Sequence, residues 1–573
     1  MAALRGADDL SDPCLLAVRH PDQAGPGAGT LPDPCPASDA QGIADLASLR
    51  ALLICDRREL GGGCDLVPVA GGWLEVLTDA PMASGLPRIR GLIRHEPDGS
   101  RPIDPDLALS LILDRLTGDH GPAGAALARR VQASRHRIAT ICGQRLARPH
   151  PAPDWLTAEQ AVIFGHWMHP CPKALSGMSL PEERAMTPDW CGALHLVGLS
   201  VRKDLIAGTD PDRARDLPGM DLDPGPGRIL LPAHPLTWDR ARRDPAIAAL
   251  LSQGAIRELG PVGPAWWATS SVRTLWRGDS PWQVKVSLPV TITNSQRVNK
   301  RHELLAGAAM SARIGALQGR FGRLRLIDDP HWLTLALPGR TESGLEVILR
   351  RNPWRGGRGG QVMQVAGLVA EPLPGRPSML AQVMAGHDPA AWFDAYLDCT
   401  VAPLLRLYDA TGIAVEAHQQ NALLDLSQGL PRRCDIRDNQ GFYLADDMAC
   451  AALRAIPHLV YPRAEAEDAL TYSLIVNQVF GVVHRMALDG IWPERRALSA
   501  LAAHLGGLTR LPGHGGALAR RWLTQPHLPA KGNLLTQLGG VDELLIPGER
   551  APMIRVPNPL PAMAHAGMLS DVA

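Results

Sequence analysis

The chain has 573 residues, 45% of them hydrophobic, which is too long for a single core and apolar enough to fill several. Its 58 Lys and Arg balance 58 Asp and Glu, so no broad positive field exists for nucleic acid or an anionic membrane surface. The 10 cysteines stand apart without a CxxC pair, which supports neither a disulfide framework nor a zinc ribbon and fits the reduced thiols of a cytoplasmic protein.

Residues 1–45 (…DQAGPGAGTLPDPCPASDAQG…) are rich in Pro, Gly, Asp and Ala and predict a disordered extension. No basic segment followed by a short apolar run opens the chain, and no apolar run reaches bilayer-spanning length, so a soluble protein is expected. Over 46–155, helical periodicity in ADLASLRALLICDRREL, LALSLILDRL and GAALARRVQASRHRIATICGQRLA surrounds one stretch of strand character, LVPVAGGWLEVLTDA. The segment ARPHPAPDW at 147–155 marks a boundary. Residues 156–385 mix helices with β-branched strands such as GRILLP, WQVKVSLPVTIT and LEVILRR. From 386 to 573 the pattern turns mainly helical.

Within 156–385, GHWMHPCPKALSG at 165–177 holds His166, His169 and Cys171, but no remote Cys or His pair completes a four-ligand metal set, and Lys173 reads as an added donor for an anion. In 266–297, SSVRTLW and WQVKVSL read as two strands joined by RGDSP. A turn centred near Asp279 sets Arg273 opposite Lys285 and Ser271 opposite Ser287. Two facing cations repel unless an anion sits between them. Thr291 and Thr293 then lead into an expected helix start at Asn294 or Ser295, with Arg297 in its first turn. Hydroxyls, a Lys, two Arg and a helix N-terminus describe a cradle for a phosphate or polycarboxylate. No Walker loop or GxGxxG is present.

Within 386–573, VEAHQQNALLDL, SQGLP and RRCDIRD read as strand, turn and strand. A turn centred on Gly429 and Leu430 brings Asn421 opposite Asp438, an amide and a carboxylate suited to Mg²⁺. Glu416 and His418 share one strand face just before them.

Taken together, GHxxHPxxK (165–173), LPAHP (231–235), SSVRT (270–274), KVSLPVTITNSQR (285–297), EAHQQN (416–421) and RDNQG (437–441) resemble the IucA/IucC family, the NRPS-independent siderophore synthetases. The resemblance implies an α+β multidomain fold: a helical thumb, a mixed α/β fingers domain with an antiparallel sheet, and a mainly helical palm. It implies ATP and Mg²⁺, a citrate-like polycarboxylate activated as an acyl-adenylate, an amine or alcohol acceptor, and a homodimer. By resemblance, His169, Lys173, Ser271, Arg273, Thr274, Lys285 and, more weakly, Arg351 contact ATP. Glu416, Asn421 and Asp438 serve the nucleotide or its metal, and Thr293, Arg297 and His418 hold the carboxylate. Arg297, His418 and Lys285 are the expected catalytic groups.

The chain departs from the family at Trp167, at HPLTW (234–238), and near Lys531, which has no nearby Arg following it. Two other readings compete. An Asn and an Asp flanking a hairpin also describe a kinase-like phosphotransferase, although His418 and Glu416 stand where its catalytic Asp belongs. A ferric-siderophore binding or reductase protein shares a C-terminal segment with this family, but would carry a cysteine cluster, and no cysteine follows Cys450.

Overall fold

The computed structural model describes residues 39–61, 65–118, 120–356, 360–539 and 552–564. Most of the expected N-terminal extension lies outside these residues, and the first helix, Ala40–Glu59, begins ahead of the expected boundary. Its Asp39 cap accepts from the Gly42 amide. The helices Pro105–Thr117 and Gly121–Leu146 follow the predicted periodicity. Between the first helix and these two, the strand-like stretch proves to be part of a four-stranded antiparallel sheet, Leu66–Val69, Gly72–Thr78, Ile89–Glu96 and Gly99–Pro102. The last two strands escape the sequence reading, because IRGLIRHE shows no clean alternation.

An eight-stranded sheet, antiparallel at every pairing, forms the middle of the chain. Its order is Ile206–Gly208, His331–Leu335, Val347–Arg351, Trp282–Val286, Thr274–Trp276, Ile256–Ala268, Ala193–Arg202, Arg228–Ala233. It has its own apolar core, including Leu199, Leu231, Val262, Trp266, Val284 and Leu349. A second, larger core runs without a break from Leu49 and Ile112 in the N-terminal helices to Leu405, Ile475, Leu501 and Leu534 in the C-terminal ones. The molecule is therefore α+β, with a sheet body packed beside a mostly helical body.

The joint between these bodies is built on tryptophan. The Pro-rich boundary ends at Asp154, which caps the short helix Trp155–Glu159 by accepting from the Thr157 amide at 2.7 Å. Trp155 stacks on Trp276 of the sheet at 4.4 Å and packs with Trp354, Val362 and Leu423. This fixes Glu159, at the other end of the helix, against the sheet.

Three sequence readings of local geometry are corrected. The hairpin after Thr274–Trp276 pairs Thr274, not Arg273, with Lys285, because Ser280 bonds Trp282 and keeps one further residue in the turn. The later hairpin pairs Ala422 with Ile436 and Leu423 with Asp435. Gly429 alone, at φ 83°, forms the tip between Gln428 and Leu430, so Asn421 lies opposite Arg437 rather than Asp438. Finally, Thr293 takes a left-handed conformation (φ 54°) and turns the chain into a strand, Ser295–Arg297, while the helix waits until Arg301–Gly315. Arg297 therefore sits on a strand and not in a first helical turn.

The helix Val365–Val369 approaches Trp155–Glu159 so closely that a Cβ on Gly367 would lie 2.3 Å from the Ala158 carbonyl oxygen. Gly367→Ala is expected to destabilise the chain by about 1–3 kcal/mol through overpacking, read as a lower midpoint in denaturant unfolding.

Candidate active site

A cavity of about 1340 Å³ opens between the sheet body and the helical body. Its walls carry Ser270, Ser271, Arg273 and Lys285 from the sheet side, Thr293 and Arg297 from the following hairpin, His169 and Lys173 from the Pro-punctuated loop, and Glu416, His418, Gln420, Asp438 and Gln440 from the helical body. Most of the residues singled out in the sequence thus converge. The exceptions are Thr274, Asn421 and Arg351, which are not among its lining residues.

Lys285 is buried and its Nζ donates to Asp438 at 2.5 Å and to the Gln440 side-chain oxygen. Burial pulls its pKa down to about 8, against the attraction of Asp438. Burial would push the Asp438 carboxyl up, but Lys285 and Arg350, the latter at 3.2 Å, hold it well below the usual carboxylate range. Asp438 leaves its strand in a left-handed conformation (φ 75°), which carries its side chain across to the sheet. The inward arginine is thus Arg350, which also bonds Asp329 at 2.7 and 2.9 Å. Its neighbour Arg351 points to the other face, is exposed, and pairs with Asp328.

Arg273 reaches the cavity from an irregular loop, Val272 being left-handed (φ 65°), and is anchored by bonds to the Val298 carbonyl and Asn299, both 2.9 Å. Ser271 Oγ accepts from the Thr274 amide at 3.2 Å, so Thr274 supports the loop from within the strand. Arg297 Nη2 donates to the Ile292 carbonyl at 3.3 Å. His169 Nε2 donates to Asn294 at 3.0 Å while its Nδ1 accepts from the Cys171 amide; burial depresses it to about 4. Lys173 is spent on Asp189, at 2.5 Å.

The EAHQQN segment has no strand at Glu416 and His418; the preceding strand is only Ile413–Ala414. It is instead held by its own turns and by a π-helical stretch, Thr471–Val479, of the kind often found at functional sites. Asn477 of that stretch accepts from the Gln419 amide at 3.0 Å and contacts His166 Nε2 at 3.1 Å. His418 is half-buried, and its desolvation lowers its pKa, with Glu416 opposing, so its imidazole is neutral at neutral pH. The Asn421 side-chain Nδ2 donates to the Glu416 backbone carbonyl at 3.1 Å. Glu416 packs on Gly441, where a Cβ would sit 2.4 Å from its Oε2. Among the described residues no group of three or more His, Cys, Asp or Glu could hold a metal by itself. Glu416 and Asp438 facing one cavity do fit an ion bound largely through substrate phosphates, whereas Asn421 does not.

The sequence reading missed the group that ties the two walls together. Arg437 donates to Glu159 at 2.7 and 3.2 Å, to Gln364 at 3.2 Å and to the Gln420 carbonyl at 2.8 Å. Glu159 in turn accepts from the amide and hydroxyl of Ser270, both 2.9 Å, and Gln420 donates to that hydroxyl at 3.1 Å. The serine loop and the His418 segment are thereby locked at a fixed separation. Arg437 lies in a motif already singled out; Glu159, in an unremarkable helix, gave no signal.

An α+β chain with a cation-lined cavity between a sheet body and a helical body, two carboxylates and a neutral imidazole opposite its serine loop, has the makings of an enzyme acting on anionic substrates. The chain belongs to the IucA/IucC family. The IucA / IucC family model matches residues 154–370, and a model described as ferric iron reductase FhuF-like transporter matches 390–546. The rhizobactin siderophore biosynthesis protein RhbC of Rhizobium meliloti (strain 1021) is 32% identical, over 91% of this chain and 98% of that one. The spermidine-citrate ligase of Bacillus anthracis is 30% identical, over 71% and 73%. ATP-bound aerobactin synthetase IucA from a hypervirulent pathotype of Klebsiella pneumoniae shares the fold, with a TM-score of 0.80, 24% identity, and coverage of 91% and 99%. Among the described residues no helix is long and apolar enough to cross a membrane.

This geometry makes two outcomes measurable. If Lys285 meets a nucleotide as a cation, its pKa of about 8 makes binding above that pH take up a proton, and ATP affinity declines as pH rises past 8. Calorimetry in buffers of different ionisation enthalpy checks this, and Lys285→Arg should abolish the uptake. Arg437→Met should cost about 3–5 kcal/mol by stranding Glu159, while the double variant with Glu159→Gln recovers much of that stability without recovering activity, read by denaturant melts beside turnover.

Proposed function

We propose that the chain is an ATP-dependent siderophore synthetase that adenylates a carboxylate of citrate or a related polycarboxylic acid and joins it to an amine or hydroxyl nucleophile. The observation that carries this reading is the convergence of Ser271, Arg273 and Lys285 with Arg297 and His418 in one clamped cavity. Adenylation brings a carboxylate and a triphosphate together, and like charges approach only where cations neutralise them.

In this reading Lys285, Arg273 and Ser271 hold the triphosphate, and the single N–H of neutral His169 joins them by exchanging Asn294 for a phosphate oxygen. Magnesium carried with the nucleotide would be held by Glu416 and Asp438 and would neutralise phosphate charge. Binding exchanges the Lys285–Asp438 pair for contacts to the nucleotide. Arg297, Thr293 and His418 hold the acid so that one carboxylate oxygen attacks the α-phosphorus and pyrophosphate leaves. An amine then attacks the acyl carbon, AMP leaves with the bonding pair, and neutral His418 takes the amine proton. The thumb, fingers and palm division is proposed at 46–155, 156–385 and 386–573, with two copies forming a homodimer.

The FhuF-like match favours no reductase here, because no cysteine follows Cys450 and Cys399 and Cys434 are buried. Arg297→Ala and His418→Ala should each abolish citrate-dependent ATP–pyrophosphate exchange while circular dichroism and melting remain those of the parent. Near-parental exchange in both variants would remove the acid-site assignment, and formation of ADP in place of AMP would remove adenylation.

A further inference from the structure

Arg273 is held differently from other cations around the cavity. Lys285 meets Asp438, Lys173 meets Asp189 and Arg350 meets Asp329. Among the described residues Arg273 meets only neutral oxygens, its Nη1 spending both protons on the Val298 carbonyl and the Asn299 Oδ1, each at 2.9 Å. Its Nε and Nη2 bond no described residue and are left for a ligand. A guanidinium tied to a carboxylate must give up that partner before it meets an anion, whereas one tied to carbonyls brings its full charge to the ligand.

Asn299 is wholly buried, and both ends of its amide are used. With Oδ1 turned to Arg273, Nδ2 faces the Lys285 carbonyl at 3.5 Å and the Glu346 carbonyl at 3.3 Å, so one orientation of the amide satisfies all its neighbours. The same side chain therefore touches the strand of Lys285 and the guanidinium of Arg273. Its backbone N–H donates to Ser287 Oγ at 2.9 Å, and that hydroxyl donates to Glu346 Oε2 at 2.7 Å. Glu346 is buried too, its Oε1 accepting from the Ser343 and Gly344 amides at 2.7 and 3.1 Å and from Thr334 Oγ1 at 3.2 Å. From the other side Thr237 Oγ1 donates to the Ser287 carbonyl at 2.8 Å. Thr237 lies in the helix Pro235–Ala241, which His234 caps by accepting from the Leu236 amide at 3.2 Å. The LPAHP motif and the HPLTW departure, none of whose residues line the cavity, thus stand behind Asn299.

We propose that Asn299 is a positioning residue for nucleotide binding. It aims Arg273 at the triphosphate through a neutral carbonyl, at a spacing from Lys285 that its own amide sets, and Thr237, Ser287 and Glu346 keep it in place. The inference rests on the adenylation reading above, in which Arg273 and Lys285 hold the triphosphate. Asn299 itself touches no reacting atom.

The test measures ATP binding to the full chain by calorimetry with magnesium present, beside citrate-dependent ATP–pyrophosphate exchange. Asn299→Ala should weaken ATP binding by about tenfold, as expected for losing a hydrogen bond to a charged group. The KM for ATP should rise to match, while the KM for citrate stays within about twofold of the parent. In a chain already carrying Arg273→Met, the same substitution should cost less than about twofold, because the side chain it aims is gone. An equal loss in both backgrounds, KM values for ATP and citrate that rise together, or parental ATP affinity in Asn299→Ala overturns this inference alone. If Asn299→Ala fails to fold, Thr237→Val decides: a loss of ATP affinity confined to the chain that keeps Arg273 supports the inference, and parental affinity or an equal loss in both backgrounds overturns it. Absence of exchange in the parent chain overturns the adenylation reading and this inference with it.

Discussion

The buried pair between Glu159 and Arg437 is the constraint on which the site depends. Both side chains are almost wholly withdrawn from water, at 0% and 3% exposure, and removing two charges from solvent is costly unless geometry and further hydrogen bonds repay it. Here they do. The partners of the pair come from different parts of the chain: the serine loop at Ser270, Gln364, and the turn at Gln420. The same bonds that satisfy the charges therefore set the distance across the cavity. The tryptophan stack at Trp155 and Trp276 supplies the apolar half of the joint, so the clamp is held in a dry setting where its electrostatics are strong.

Around that clamp, burial assigns each ionisable group a state at neutral pH. His169 and His418 are depressed and uncharged, while Asp438 stays ionised against Lys285 and Arg350. Lys285, at about 8, is tuned close to the working range. Its pairing with the half-buried Asp438 keeps both charges satisfied, and a phosphate with its counter-ion offers each of them a partner of the opposite sign.

The motifs that carry the chemistry were legible from sequence because polar residues within apolar strands stand out, and most of them reach one cavity. Their exact pairing was not. Both hairpin registers shifted by one position, since each turn's length depends on Ser280 bonding Trp282 or on Gly429 adopting a positive φ, neither of which the residue pattern encodes. A one-residue shift moves a side chain to the opposite face, which is why Asn421 lost its assigned partner. The choice between Arg350 and Arg351 is the same problem in a single strand. The helix expected at Asn294 failed because a left-handed Thr293 let the chain fold back into a short strand. Glu159 could not be found locally at all; only the fold brings it to Ser270.

The central claim is that a carboxylate oxygen of the acid attacks the α-phosphorus of ATP. Citrate labelled with ¹⁸O in its carboxylates, turned over with ATP and an amine, tests it directly by mass spectrometry of the nucleotide. The account predicts that the label appears in AMP. Label appearing in inorganic phosphate, with ADP as the nucleotide product, would show an acyl-phosphate route and contradict it.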